Sequence, residues 1–547
     1  MEMKIPQPVS EDRIKGKSAI LGNIMAVRVV AETLKTTLGP KGMDKMILTG
    51  SKEVAITDRG ASILSLIDIR HPAARMLVEA AKTQDTETGD GTTSVVVLAG
   101  ELLKKAEELL IQGLHPATIV EGYRIALEEV KRYLEEASLP VEDGMLLDLA
   151  TTMLMGKVGE DEARYLAKIA VDAVRIAGDK DNVKVLHRPG GSVKDTHLVR
   201  GMIIDLGKRV HPSMPKRVEG ARILLVDTEF AVHDVNNAKV ELMDPARMRA
   251  FKEYKSKVLR VAVNMIKASG ANVVLCQKNI EDLAMFFLAQ EGILGVRDVE
   301  KDVLELLAKA TGGRIVSNVR DIDPGSLGYA ALVEEGKIGL EEIMYVTGCR
   351  NPKAAAILVR GGSENTALEV SKRLESLIST LERVLRDKRC LPGGGACEVE
   401  LARRLRTFAP SVKGKPQLAV FAFADALEVI PRYLAANAGI DPLILLPRLR
   451  AKHEAGGVSY GLDLRDREVK DVRKTGILES LPAKKHAIIS ASELAEMILK
   501  IDEVLFARGL EKESPAPQPS VQAPSTPPEA MDFPAKGGKI DFKQLMM

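Results

Sequence analysis

The sequence predicts a multidomain α and α/β chain in which helical regions at both ends flank an α/β module. Three observations carry this reading. At roughly 150 residues per domain, the 547 residues leave room for three or four domains. Apolar residues recur at helical spacing up to about residue 145 and again beyond about residue 367. From about residue 215, between those regions, short β-branched runs alternate with helical patterns, as in an α/β unit. A module of one texture inside a chain of another points to an inserted domain rather than a string of beads.

In chain order, Ile20, Leu21, Ile24, Val27, Leu34 and Leu38 predict a helix over 15–38, stopped by Gly39-Pro40. A second begins at Pro72, a proline suited to a first helical turn, and runs to about Lys82. A third covers 93–110. The middle region offers strand-like runs at 223–226, 273–276, 315–319 and 357–359, with helices at 282–289 and 303–310 between them. Asp244-Pro245 makes an N-cap and first-turn pair for a helix running to about Lys267. Helical patterns then hold from 367 to about 508. Residues 511–547 place seven prolines among Ser, Gln and Ala, a composition that cannot offset ordering entropy, so a disordered tail is expected.

Composition excludes several functions. Lys+Arg number 78 against Asp+Glu 76, a net charge of +2, which argues against a nucleic-acid partner. Aromatics are scarce, with 10 Phe, 8 Tyr and no Trp, so base-stacking platforms and aromatic cages are not expected. The cores must be built from Val, Ile, Leu, Ala and Met. Cys276, Cys349, Cys390 and Cys397 form no CxxC, and the eight His residues form no HExxH, which argues against disulfide or zinc frameworks. The start Met1-Glu2-Met3-Lys4 lacks signal-peptide character, and apolar stretches such as 418–424 fall short of the ~18 residues that span a bilayer. A reduced, cytoplasmic setting without membrane contact is expected.

Three glycine-rich segments stand out: 38–45 (LGPKGMDK), 89–93 (GDGTT) and 392–396 (PGGGA). No GxxxxGK[ST] occurs, which excludes an ordinary P-loop. GDGTT nevertheless suits phosphate. Its glycines let backbone N–H groups approach an anion, and the helix that follows points its positive end there. Asp90 could hold Mg²⁺ with the phosphates while Thr92 and Thr93 donate to phosphate oxygens. A plain turn and helix cap would account for the same five residues.

Taken together, Leu38 to Met46, His71-Pro72-Ala73-Ala74, Gly89 to Thr93, Val210-His211-Pro212, Met214 to Arg217, Ala268 to Val274 and Pro392 to Ala396 resemble a group II chaperonin of the archaeal thermosome type. The resemblance covers about residues 10 to 507. It implies chaperonin architecture: a mostly helical equatorial nucleotide-binding domain (1–145 and 401–510), a hinge-like intermediate domain (146–214 and 367–400) and an inserted α/β apical domain (215–366). It further implies a helical lid protrusion at about 232–260, with Met243, Met248, Phe251, Tyr254 and Val258 as its apolar contacts. The partners implied are unfolded polypeptides and related chaperonin subunits in a double ring, with ATP and Mg²⁺ as cofactors. By the same resemblance, Asp90 matches the Mg²⁺-binding aspartate, with Gly89, Gly91, Thr92 and Thr93 around the phosphates. Gly39 and Pro40 match the first phosphate loop and Lys157 the lysine that senses the terminal phosphate. Gly394 and Glu479 match positions near the ribose and base.

Two positions depart from the family pattern. Where the family carries Thr-Asn-Asp-Gly-Ala, this chain reads Thr57-Asp58-Arg59-Gly60-Ala61, with Arg59 at the water-activating aspartate. Ser376, in Leu374-Glu375-Ser376-Leu377, stands at the second family aspartate. Arginine stays cationic and serine is a poor base. Of the neighbours, Asp58 is expected to point away from Arg59, because successive side chains alternate in extended backbone. Glu375 lies about 100° around the helix axis from Ser376. The expectation is therefore ATP binding with weak or absent hydrolysis. The alternative is an active foldase in which Asp58 or Glu375 activates the water.

Overall fold

Helix Thr92–Ile111 shows how the first core forms: every residue from Val95 to Leu103 is buried, so it is a helix packed on all sides. Helices Lys17–Lys35, Pro72–Thr88, Pro116–Ala137, Pro416–Leu427 and Leu481–Leu499 surround it, burying Val27, Leu77, Tyr123, Phe423 and Ala491 in one cluster. Segments from both ends of the chain thus share this core. With few aromatics available, Tyr123 and Phe423 form its ring contact, edge to face at 5.5 Å, and the Tyr123 hydroxyl donates to Leu102 O at 2.7 Å.

The structure is a computed structural model, which describes residues 13–48, 54–205, 211–231, 245–318, 321–339, 341–350 and 353–505. Residues 14–504 form one compact unit, which holds all three cores; the other unit, from both termini, lies almost entirely outside the described residues. The proline-rich tail, Met243, Asp244 and the first half of the expected protrusion, 232–244, also lie outside them. Among the described residues no helix is long and apolar enough to cross a membrane.

A second core lies around a seven-stranded mixed sheet. Its path runs Leu294–Val296, Val273–Cys276, Arg217–Val226, Gly328–Ile338, Glu341–Thr347, Gly201–Asp205, and Ile315–Val316 pairs with Arg217–Val226. Pairing is parallel from Leu294–Val296 to Arg217–Val226 and antiparallel beyond, with Val226 opposite Cys276 and Val333 opposite Val346. The parallel strands are buried at every position over 273–276, as two-sided cover by helices demands. Of the expected run 315–319, Ile315–Val316 form a strand, and Val319 lies outside the described residues. Helix Pro245–Ser269 ends two residues beyond the expected Lys267.

A third core joins helices Asp143–Leu154, Glu160–Ala177 and Glu364–Asp387 through Leu149, Leu166, Leu374, Leu377 and Leu381. These helices pack on a three-stranded sheet with Ala355–Gly361 at its centre, between Val183–Pro189 and His197–Val199. The run at 357–359 therefore belongs to this sheet rather than to the seven-stranded one, because its register partners are Val185 and Leu198. Helix Pro72–Thr88 extends six residues past Lys82, carrying Gln84 and Asp85 to the edge of the glycine loop.

Candidate functional site

Where the helical core meets the third core, the structure encloses a cavity of about 280 Å³. Its wall contains Gly39, Pro40, Arg59, Gly89, Asp90, Gly91, Thr92, Thr93, Lys157, Ser376, Gly394 and Glu479, twelve positions singled out in the sequence. Of the expected lid residues, Tyr254 is exposed on helix Pro245–Ser269 and does not line the cavity. The side chains of Met248 and Phe251 lie outside the described set.

Local rules build each wall. Helix Pro72–Thr88 ends on Gly89, at φ +71°, where an added Cβ would sit 2.5 Å from Ser376 O. Gly91 then caps helix Thr92–Ile111 with no side-chain hydrogen bond, so the helix presents free first-turn N–H groups beside Thr92, Thr93 and Asp90. Buried Gln84 fixes this loop by donating from Nε2 to Asp90 O at 2.6 Å and Ala483 O at 3.1 Å. Asn437 Nδ2 holds the other loop, donating to Lys35 O and Leu38 O at 2.9 Å each. Lys157 is delivered by Gly156, whose φ of +74° and approach to Pro40 O leave no room for a Cβ. At the far end, Leu391 pairs with Glu479 and Leu462 N donates to Gly394 O at 2.8 Å. Lys484 bridges Glu479 and Glu398.

The electrostatics divide the site. Burial pushes the Asp90 carboxyl up, although the Gly91 N–H, which donates to its Oδ1 at 2.7 Å, and the charges of Lys484 and Lys157 oppose it. A divalent cation would reverse that cost. Burial would likewise raise Asp58, but Lys157 and Arg373 hold it below the usual carboxylate range. Asp58 pairs with the Lys157 ammonium and accepts from Arg373 Nη2 at 3.1 Å. Burial would lower Lys484, yet Glu398 and Glu479 on either side keep it charged.

The donor set fits Mg²⁺ brought in by a nucleotide. Among the described residues no group of three or more His, Cys, Asp or Glu could hold a metal. Asp90 beside a helix N-terminus and two Thr hydroxyls matches an ion held by one carboxylate, phosphate oxygens and water.

Arg59 and Ser376 meet directly. Arg59 Nη2 donates to Ser376 Oγ at 2.6 Å and to the Asp85 carboxylate at 3.1 and 3.3 Å. Asp58 and Arg59 both line the cavity, with Arg59 in extended backbone ahead of helix Gly60–Leu66. Their side chains take different partners, Asp58 with Lys157 and Arg373 and Arg59 with Asp85 and Ser376. Glu375 is exposed and lines an adjoining cavity of about 330 Å³ with Lys180 and Asp181.

Sequence reasoning missed Gln84, Asp85, Arg373, Lys484 and Asp463, a buried carboxylate in the cavity wall that Arg465 holds at 2.9 Å. Gln84 and Asp85 precede the glycine loop by less than two helical turns, and Arg373 lies one turn before Ser376, so helical spacing could have flagged all three. Asp463 and Lys484 carry no such signal.

A model of the TCP-1/cpn60 chaperonin family matches residues 30–509. The chain is similar to a thermosome subunit of Pyrococcus horikoshii, 47% identical over 519 residues, covering 92% of this chain and 94% of that one. It is 48% identical over 514 residues to a thermosome subunit beta of Archaeoglobus fulgidus, with 92% and 94% covered. Identity to a thermosome subunit of Methanopyrus kandleri is 48% over 518 residues, with 92% and 95% covered.

Proposed function

The chain belongs to the TCP-1/cpn60 chaperonin family, as a subunit of the group II thermosome type, and on that premise we propose that it binds Mg-ATP and unfolded polypeptide within a double ring while hydrolysing ATP weakly or not at all. In this reading it is a divergent subunit, contributing substrate contacts and asymmetry to a ring whose other members hydrolyse. Residues 1–145 with 401–510 serve as the equatorial domain, 146–214 with 367–400 as the intermediate domain and 215–366 as the apical domain. The setting is cytoplasmic.

One observation carries the reading: in the cavity that gathers Asp90, Thr92, Thr93 and Lys157, the two positions where the family carries carboxylates hold Arg59 and Ser376, which bond to each other. Bound Mg²⁺ would neutralise phosphate charge at Asp90. Thr92, Thr93 and the helix N-terminus would orient the phosphates, and Lys157 would sense the terminal one. Asp58, held by two cations, and Glu375, in the adjoining cavity, make poor substitutes for a positioned base.

A second reading, a fully active foldase, draws support from Asp85. Its carboxylate lines the cavity, although Arg59 holds it at 3.1 Å. Single-turnover phosphate release by the purified chain, alone and mixed with an active subunit, separates the two. Bound but unhydrolysed ATP in the isolated chain, with assembly into rings in the mixture, is the outcome expected. Rapid hydrolysis by the isolated chain would favour the second reading, and a chain that stays monomeric in every such mixture would overturn ring membership.

A further inference from the structure

Helix Glu364–Asp387 turns one polar stripe onto the loops that carry the phosphate site. Arg373 meets Asp58, Ser376 accepts from Arg59, Thr380 Oγ1 donates to Thr88 O at 2.8 Å, and Arg383 donates to Glu87 at 3.1 Å. The spacing of these four residues is that of a single helix face. Arg373 differs from the rest in what it shares. Its Nη2 donates to Asp58 Oδ1 at 3.1 Å, while the Lys157 ammonium occupies the other oxygen of the same carboxylate. Its Nη1 donates to Lys157 O at 2.6 Å, and its buried Nε has no acceptor among the described residues. Two cations thus divide one carboxylate in the wall that also contains Asp90, Thr92 and Thr93.

A terminal phosphoryl group carries more charge and more acceptor oxygens than Asp58 does, and the planar guanidinium fork matches it in bidentate fashion. We propose that Arg373, together with Lys157, binds the terminal phosphate of a nucleoside triphosphate in place of Asp58, and so sets the preference of the site for triphosphate over diphosphate. The proposal rests on the nucleotide-binding reading above. A diphosphate lacks the competing group and leaves Arg373 on Asp58. Arg373 lies on the same helix face as Ser376, so exchange of its partner also bears on the Arg59–Ser376 contact one turn away.

The test is calorimetric binding of Mg-ADP and of a non-hydrolysable Mg-triphosphate analogue to the full chain, a readout independent of turnover. Arg373→Ala is expected to weaken the triphosphate by about 10- to 100-fold, the worth of hydrogen bonds to a charged group, and to leave the diphosphate within about threefold. Retained diphosphate affinity is also the control for folding. Arg373→Lys keeps the charge without the fork and is expected to fall between, and it carries the comparison should the alanine variant not fold. If the unmodified chain binds neither nucleotide, the nucleotide-binding reading falls and this proposal with it. If it binds both and the Arg373 variants weaken both equally or neither, this proposal alone is overturned.

Discussion

Replacing Arg59 and Ser376 together by aspartate should convert a binding site into a hydrolytic one. The cavity wall carries four cations, Arg59, Lys157, Arg373 and Lys484, against five carboxylates, Asp58, Asp85, Asp90, Asp463 and Glu479. Arg59 is spent on Asp85 and Ser376, so none of its neighbours offers an unpaired base at that point. The double variant removes the cation that holds Asp85 and places two new carboxylates within the same reach. A positioned base contributes ~10²–10⁴ in rate, so single-turnover phosphate release should rise by about 10²-fold or more. Arg59→Asp alone should gain less, because groups that orient one water act as a unit. Losing one cation and gaining two carboxylates should weaken Mg-ATP binding at the same time, moving KM up as kcat rises. Asp90→Ala should abolish the gain. The reasoning is refuted if the double variant still binds Mg-ATP and its turnover does not change, or if the unmodified chain, freed of active subunits, hydrolyses robustly.

Three further outcomes come from packing and charge. Burial alone would raise Glu400, but hydrogen bonds from His453 and Arg403 carry it down to about 2, so its contribution is full above the ordinary value near 4.5 and is lost as pH falls toward about 2. Urea midpoints should therefore drop over that window, and Glu400→Gln should flatten the drop; an unchanged slope would count against the assignment. Phe423→Ala, at a fully buried site edge-on to Tyr123, should cost roughly 3–5 kcal/mol in chemical denaturation, against less than about 0.5 kcal/mol for a surface change such as Lys474→Ala. Helix Pro245–Ser269 exposes Tyr254, Val258, Val261 and Met265 along one face, so hydrogen exchange over 254–265 should slow when nucleotide closes a ring. Equal exchange in both states would favour a face that is never covered.

Local patterns make part of the site legible. The 93–110 helix can be read because its apolar residues recur along a segment without Pro, a property of adjacent residues, and the structure moves its ends by one residue each. The glycine loops are legible for a related reason: positive φ at Gly89 and Gly91 and the abrupt helix start at Thr92 are properties of a few adjacent residues. The pairing of Lys45–Leu48 with Val54–Thr57 does not show in the sequence, where only Lys45 falls within a segment singled out, the glycine-rich 38–45. Its apolar residues Met46, Leu48, Val54 and Ile56 face solvent, so no buried face marks the strands. Strand Ala355–Gly361 reads in sequence as a member of the wrong sheet, because β-branched composition states that a strand exists, not which neighbours it pairs with.

The sequence by itself determined the family, the order of helical and α/β regions, and twelve of the residues that line the cavity, most of them tied to a short glycine-rich motif. Only the tertiary structure decided what those residues do to one another. Arg59 reaches Ser376 across 317 positions of sequence, and Arg373 reaches Asp58 across 315. Such pairs depend on where helix Glu364–Asp387 docks, and docking is set by Leu374, Leu377 and Leu381 on its apolar face rather than by the polar residues themselves. An arginine at an acid's position reads in sequence as a missing base. Packed against Asp85 and Ser376 it is a fixed cation with its partners already chosen, because a charge so little exposed must be paired where it lies.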